Sequence, residues 1–268
     1  MKRGSIIFLV LAAALLGAII YCPANLLRGV INENLQGVAR LENMNGTIWN
    51  GNALLVFNQK QLPQTPVNWG FAPSLLLSAQ LGYTIEINKN NTRPSEIFGE
   101  FKVGQGFSGL QIRNAQLNAP ASAILPLLNP ALSFGGFVGQ LNLNTENLEI
   151  TPSPNFVAAK VAGRATLNWH NANSLFLLGN AANHYTLEFD GKGAESAFVL
   201  KTKSGPVAVN GQGTRVLEKT APHNTLQFSG RAAMPPALLA RMGNAQAWLS
   251  QLGRMEGDAL VMNWTGRF

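Results

Sequence analysis

The chain is poor in cysteine, in charge and in acid. One cysteine, Cys22, stands in 268 residues, which excludes an internal disulfide framework and any cysteine-based zinc site. Charged residues make up 12% of the chain, too few to coat the wet faces of long soluble helices, so stability must come from strand pairing and burial. There are two aspartates, Asp190 and Asp258, and three histidines, His170, His184 and His223. No histidine pair has a metal-ligand spacing such as HxxxH. Acid, base or nucleophilic catalysis needs a compact set of polar groups. The sequence points to none, so no catalytic residue, metal or cofactor is expected. A second long apolar run is missing as well, so at most one membrane passage is expected.

The run that is present is IIFLVLAAALLGAIIYC, residues 6–22, directly behind Met1-Lys2-Arg3-Gly4-Ser5. A bilayer core takes roughly 17–25 apolar residues in a helix. Lys2 and Arg3 precede the run and the next basic residue is Arg28. That asymmetry predicts a cytoplasmic tail (1–5), a transmembrane anchor (6–22) and an external remainder. A cleaved signal peptide is the rival reading. It fits less well, because Cys22 and Pro23 make a poor cleavage site before Ala24. The chain carries a net charge of +7 with no Lys/Arg cluster. The plain reading is a solvated surface, the sharper one weak attraction to anionic headgroups. Nucleic acid is not expected as a partner.

Leu26, Leu27, Val30, Ile31, Leu35 and Val38 recur at helical spacing, so residues 23–38 read as a juxtamembrane helix with Asn25 as a candidate cap. From Ala39 the period becomes two. Leu81, Tyr83, Ile85 and Ile87 share one side of a segment, as do Ile97, Gly99, Phe101 and Val103. Further runs are Val161 to Trp169, Tyr185 to Phe189, Leu226 to Ala232 and Leu260 to Trp264. Such alternation gives strands with one dry and one wetter face, and short Gly/Asn/Pro connections favour antiparallel hairpins. The expectation is a mainly β body over 39–268, an extended or curved antiparallel sheet with a few short helices and the N-terminal transmembrane helix.

Two helical interruptions, Pro120 to Leu128 and Pro235 to Leu252, each begin with proline. Each is followed by a glycine-led strand, at Gly139 and Gly257. With the triplets Val67-Asn68-Trp69, Leu167-Asn168-Trp169 and Met262-Asn263-Trp264, they suggest a diverged duplication, and the alternative reading is chance similarity among short strands. Gly104 to Gly109 satisfies GxGxxG, but a strand-like run follows instead of a phosphate-binding helix, so the glycines read as a hairpin turn. Gly205-Pro206 and Gly211-Gln212-Gly213 read as turns or bulges.

Gly46-Thr47-Ile48-Trp49-Asn50-Gly51 brackets an aromatic stretch with glycines, where the backbone is free to bend or to approach another chain. Trp49 and Trp69 are candidate interface anchors. The plainer reading places both indoles in the sheet's own core. Leu81, Tyr83, Ile85 and Ile87 are candidate groove-lining residues if the sheet stays open. If it closes into a sandwich they are core.

The membrane run, the GTIWNG motif, Val67-Asn68-Trp69 followed by Pro73-Ser74-Leu75-Leu76, the Gly163 to Trp169 segment, Leu178-Gly179 before a strand and the closing Gly257 to Gly266 segment together resemble the type II secretion system protein N family. The resemblance implies a single-pass inner-membrane protein of Gram-negative bacteria. Its periplasmic body would be an accessory component that helps export folded proteins across the outer membrane by contacts with other secretion subunits, without catalysis. Gly46, Thr47, Trp49, Gly51 and Trp69 carry over as family markers only. A second reading, from an alternation similar in kind to AsmA-like proteins, is periplasmic lipid binding or transfer, with phospholipid in an apolar β groove.

Overall fold

In the computed structural model the described residues are 17–35, 38–58, 62–89, 93, 95–107, 109–128, 135–151, 159–174, 182–217, 224–242 and 253–267. Most of the predicted membrane run, with the tail before it, lies outside them. Its last residues, 17–20, are helical. No helix among the described residues is long and apolar enough to cross a membrane, so the predicted transmembrane helix has no counterpart there.

Alternation of β-branched, aromatic and leucine residues with polar ones becomes a single antiparallel sheet of 14 strands. In the first half, β1 is Ala39–Gly46, β2 Asn50–Phe57, β3 Thr65–Phe71, β4 Leu81–Ile87, β5 Phe98–Gln105, β6 Leu110–Pro120 and β7 Val138–Thr151. The second half holds β8 Lys160–Asn173, β9 Asn183–Gly193, β10 Glu195–Ser204, β11 Ala208–Leu217, β12 Asn224–Ala233, β13 Arg254–Glu256 and β14 Ala259–Arg267. Each strand pairs with its neighbours in sequence, except that β14 lies between β12 and β13. The sheet does not close: β1 and β13 form its two edges. The sandwich reading is thereby excluded, because among the described residues no second sheet packs on the first.

Among the described residues, α-helices after residue 20 are α1 (Arg28–Asn34), α2 (Ala121–Leu128) and α3 (Pro236–Met242). The first follows a 3-10 turn, Ala24–Leu27, and a 3-10 helix, Pro73–Ser78, joins β3 to β4. Asn25 sits inside the 3-10 turn rather than capping a helix, and Pro23 occupies the capping position with no side-chain bond. The helical stretch after Pro235 is described to Met242, and residues 243–252 lie outside the described set. Helix α2 follows the sixth strand and α3 the twelfth. Gly257 takes a left-handed φ of +65° and starts no strand. With Asp258 it turns β13 into β14, a hairpin too short to leave an alternation.

Asparagine is used where the ladder slips. Asn43, Asn114 and Asn171 adopt φ of 52°, 49° and 51° at bulges of β1, β6 and β8. Their short polar side chains tolerate the left-handed region better than other non-glycine residues. Bulges bend and twist the strand that carries them, so these positions curve the sheet.

Register sorts the side chains into two faces. On one, Leu117, Leu143, Leu167, Leu187 and Leu200 are successive cross-strand partners from β6 to β10. A parallel row runs Ala165, Phe189, Phe198, Gly213, Phe228 and Trp264. Gly211 and Gly213, read from sequence as a turn or bulge, lie inside β11. An added Cβ would strike the Phe228 ring at one and the Phe198 ring at the other. The two rings stack at 6.0 Å with planes 5° apart. The opposite face is polar. Asn142 donates to Asn118, Thr186 Oγ1 to Asn168 Oδ1 at 2.8 Å, and Lys201 pairs with Glu188 at 2.8 Å.

No thick core results. Among the described residues, the buried hydrophobic positions are mostly alanines and the one large side chain under 2% exposed is Asn183. Two small apolar clusters form where helices touch the sheet. Ala24, Met44 and Ala53 meet Ile31, Leu41 and Trp69 under α1. Val207, Ala232, Met234 and Leu260 meet Leu239 of α3. The accessible surface is 16408 Å² for 28.7 kDa, whereas a compact monomer of that mass exposes about 11,000 Å².

Candidate tethering and interaction site

The β1–β2 connection is the GTIWNG segment, and its residues form one clasp. Gly46 has φ +91°, and a Cβ there would meet the Asn50 carbonyl. The Thr47 amide donates to Asn50 O at 2.9 Å. The Thr47 hydroxyl accepts from the amides of Trp49 and Asn50 at 3.3 and 3.2 Å, the behaviour that makes threonine a turn residue. A Cβ on Gly51 would run into the Trp69 indole and the Asn45 carbonyl. The glycine therefore admits the indole, whose Nε1–H donates to Thr47 O at 3.1 Å.

The clasp holds the chain that emerges from the apolar run. Trp49 Nε1–H donates to Ile19 O at 2.8 Å, the Ile48 amide to Cys22 O at 2.9 Å, and Pro23 bridges Thr47. Trp49 also packs edge-on against Phe71 at 5.4 Å, and Phe71 against Tyr83 at 6.4 Å. Gly46, Thr47, Trp49, Gly51 and Trp69 are thus brought together. Trp69 fills part of the α1 cluster, while Trp49 lies half-buried at the sheet end. Sequence reading missed the partners Ile19, Cys22 and Pro23, because the bonds go to backbone, which carries no residue signature.

Of the groove candidates, Leu81 is 49% exposed, and Tyr83, Ile85 and Ile87 are half-buried on the apolar face. Tyr83 and Ile85 line an apolar cleft of about 230 Å³ with Leu27, Ile31, Leu41 and Trp69. Burial there pushes the Tyr83 phenol above its ordinary value. Helix α1 roofs this cleft with Ile31, while Leu26 and Val30 face outward at 69% and 59% exposure. The predicted apolar stripe is therefore divided between sheet and surroundings. At the outer edge of β1, the Asn32 side chain accepts from the Leu41 amide at 2.8 Å and donates to Leu41 O at 3.4 Å. That occupies a strand's worth of edge bonding at one residue.

Among the described residues no group of three or more His, Cys, Asp or Glu side chains could hold a metal. His170 and His184, 14 positions apart, come together with ring centres 3.8 Å apart. Burial and then the neighbouring His184 hold His170 below its ordinary value. His223 lies outside the described residues, as does Leu178-Gly179.

No curated protein and no solved structure matches the chain. A family model does: type II secretion system (T2SS), protein N, over residues 38–261. That span takes in the clasp and nearly all of the sheet, so the chain belongs to the type II secretion system protein N family.

Proposed function

We propose that the protein is an accessory subunit of the type II secretion apparatus, held in the inner membrane by residues 6–22 with its N-terminus cytoplasmic and its sheet periplasmic. It aids export of folded periplasmic proteins across the outer membrane through contacts with other secretion subunits, and does no chemistry itself. The carrying observation is the clasp inside the family-matched segment, which joins the sheet to the end of the apolar run. Contacts by strand addition need a sheet edge with unused backbone groups. Asn32 occupies part of the β1 edge and Pro23 pairs with Thr47 just beyond it, which favours the β13–β14 side, where Trp264 is 47% exposed. A photocrosslinker at Thr265 in cells that assemble the apparatus should capture another secretion subunit. Trp49→Asp should lower that yield and slow export. An intact Trp49→Asp protein crosslinked at normal yield refutes the role of Trp49, and no capture from the edge refutes the edge.

The apolar face favours a second reading, a lipid-binding or lipid-transfer groove. The leucine and aromatic rows run strand to strand with few helices over them. Native mass spectrometry of the purified protein separates the two: copurified phospholipid supports the groove, and a clean apo mass counts against it.

A further inference from the structure

The odd strands from β1 to β11 end, and the even strands from β2 to β12 begin, at one end of the sheet, whereas the β13–β14 turn lies at the other. At the former end, three elements of the first half carry exposed apolar side chains. The segment leaving the clasp exposes Ile20 at 55% and Tyr21 at 77%. The Pro73–Ser78 helix exposes Leu76 at 53% and Leu77 at 93%, and the β5–β6 turn exposes Phe107 at 103%. Leu75, by contrast, is 3% exposed and packs toward Gly82 and Gly104, so it seats the helix and leaves its two neighbours outward.

These points are linked through the fold. Trp49 binds Ile19 and touches Phe71. The Phe71 amide donates to Trp49 O at 2.6 Å, and the Ala72 amide to Gly82 O at 2.9 Å. The chain then enters the Pro73–Ser78 helix. At its far side Gln80 lies against Gly104 and Gly106, beside Phe107. Single exposed apolar residues are ordinary on a protein surface. A set of extended leucines and an aromatic at one end, continuous with an apolar run, marks a contact surface.

We infer that this end of the sheet rests in the bilayer that the apolar run enters, with Leu76, Leu77 and Phe107 inserted beside Tyr21 into its interfacial layer. The occupant is lipid because the clasp fixes the exit of the run at this very end, so whatever medium surrounds the run also faces these side chains. Amphipathic elements at such a boundary bury their apolar side by about 5–10 Å, and a tyrosine suits the headgroup level. Three anchoring points would hold the sheet upright on the membrane instead of leaving it to swing on a flexible stalk. The inference rests on reading residues 6–22 as a membrane anchor.

The test uses the full chain with Cys22→Ser in nanodiscs of phosphatidylethanolamine and phosphatidylglycerol. Single spin labels are placed at Leu77→Cys, Phe107→Cys, Leu11→Cys and, at the opposite end of the sheet, Val138→Cys. Collision with oxygen against a water-soluble nickel complex reads their depth. The expected result is Leu11 deep, Leu77 and Phe107 at headgroup level with oxygen favoured several-fold over the Val138 control, and Val138 in water. Leu11 deep with Leu77 and Phe107 as wet as Val138 overturns the inference and leaves the anchor standing. Leu11 in water overturns both. Leu77 and Phe107 stand clear of the sheet at 93% and 103% exposure, so their replacement leaves the fold intact.

Discussion

Two glycines in one strand region separate steric need from mere flexibility. Gly51 leaves room for the Trp69 ring, whereas a Cβ on Gly70 of β3 would meet nothing within 4 Å. Gly51→Ala should therefore destabilise the protein by about 1–3 kcal/mol, the usual cost of overpacking, and Gly70→Ala should stay within about 0.5 kcal/mol. Denaturant midpoints compare the two, and equal midpoints contradict the seating of Trp69. Titration supplies further residue-scale outcomes. His170 titrates below its ordinary 6.5, so as pH falls under that value the unfolded chain takes up its proton first. The stability this protects is present above 6.5 and is lost as pH falls through the folded pKa. Melting temperature should drop on acidification from pH 7.5 to 5, and His184→Gln, which removes the opposing charge, should flatten the drop. An unchanged slope contradicts the coupling. The Tyr185 hydroxyl donates to Val207 O at 3.2 Å and burial pushes its pKa to about 12. Stability should fall between pH 10 and 12, and Tyr185→Phe should remove that part of the fall in alkaline melts.

At the scale of elements, the β1 edge depends on a side chain standing in for a strand. Asn32→Ala removes both bonds to Leu41 and should cost about 1 kcal/mol. Amide exchange should accelerate at Leu41 far more than at residues bonded to β2, and unaltered exchange there contradicts the role of Asn32. What the sequence made legible belongs to this scale too. Strands β4, β5, β8, β9, β12 and β14 could be read because a half-buried pleat demands alternation. The hairpin nature of Gly104 to Gly109 was legible from the strand pattern after it. Strand β13 was not, since three residues carry no period. Gly211 and Gly213 were misread because an aromatic ring lying over a glycine leaves the same sequence trace as a bulge. The GTIWNG residues were legible as a set, but not their task, because both indoles bond to main-chain carbonyls. The pairing of His170 with His184 needed the bulge between Trp169 and Ala172, which shifts the register that simple counting would give.

For the whole molecule, openness could not be read, because one dry face looks the same in a sandwich and in a single sheet. Its thermodynamic mark is small heat capacity. A 268-residue chain that buries apolar surface ordinarily would unfold with ΔCp of about 3.2–4.0 kcal/mol/K. Calorimetry of this protein should give a value clearly below that range, since most apolar side chains on the sheet are only half-buried. A value inside the range would mean the apolar face is covered in solution. The sheet is also joined to Ile19, Cys22 and Pro23 at the end of the apolar run, and the family-marker motif makes that junction. It can be tested with the chain's own thiol. The Ile48 amide donates to Cys22 O, so the two residues are cross-strand neighbours. Such pairs lie about 5.5 Å apart between Cα atoms, within the roughly 4.4–6.8 Å that a disulfide spans. Full-length Ile48→Cys protein in membranes, mildly oxidised and analysed by thiol blocking and non-reducing mass analysis, should lose both thiols within one chain, with Cys22→Ser abolishing the reaction. Thiols that stay free, or that pair only between molecules, would contradict the clasp.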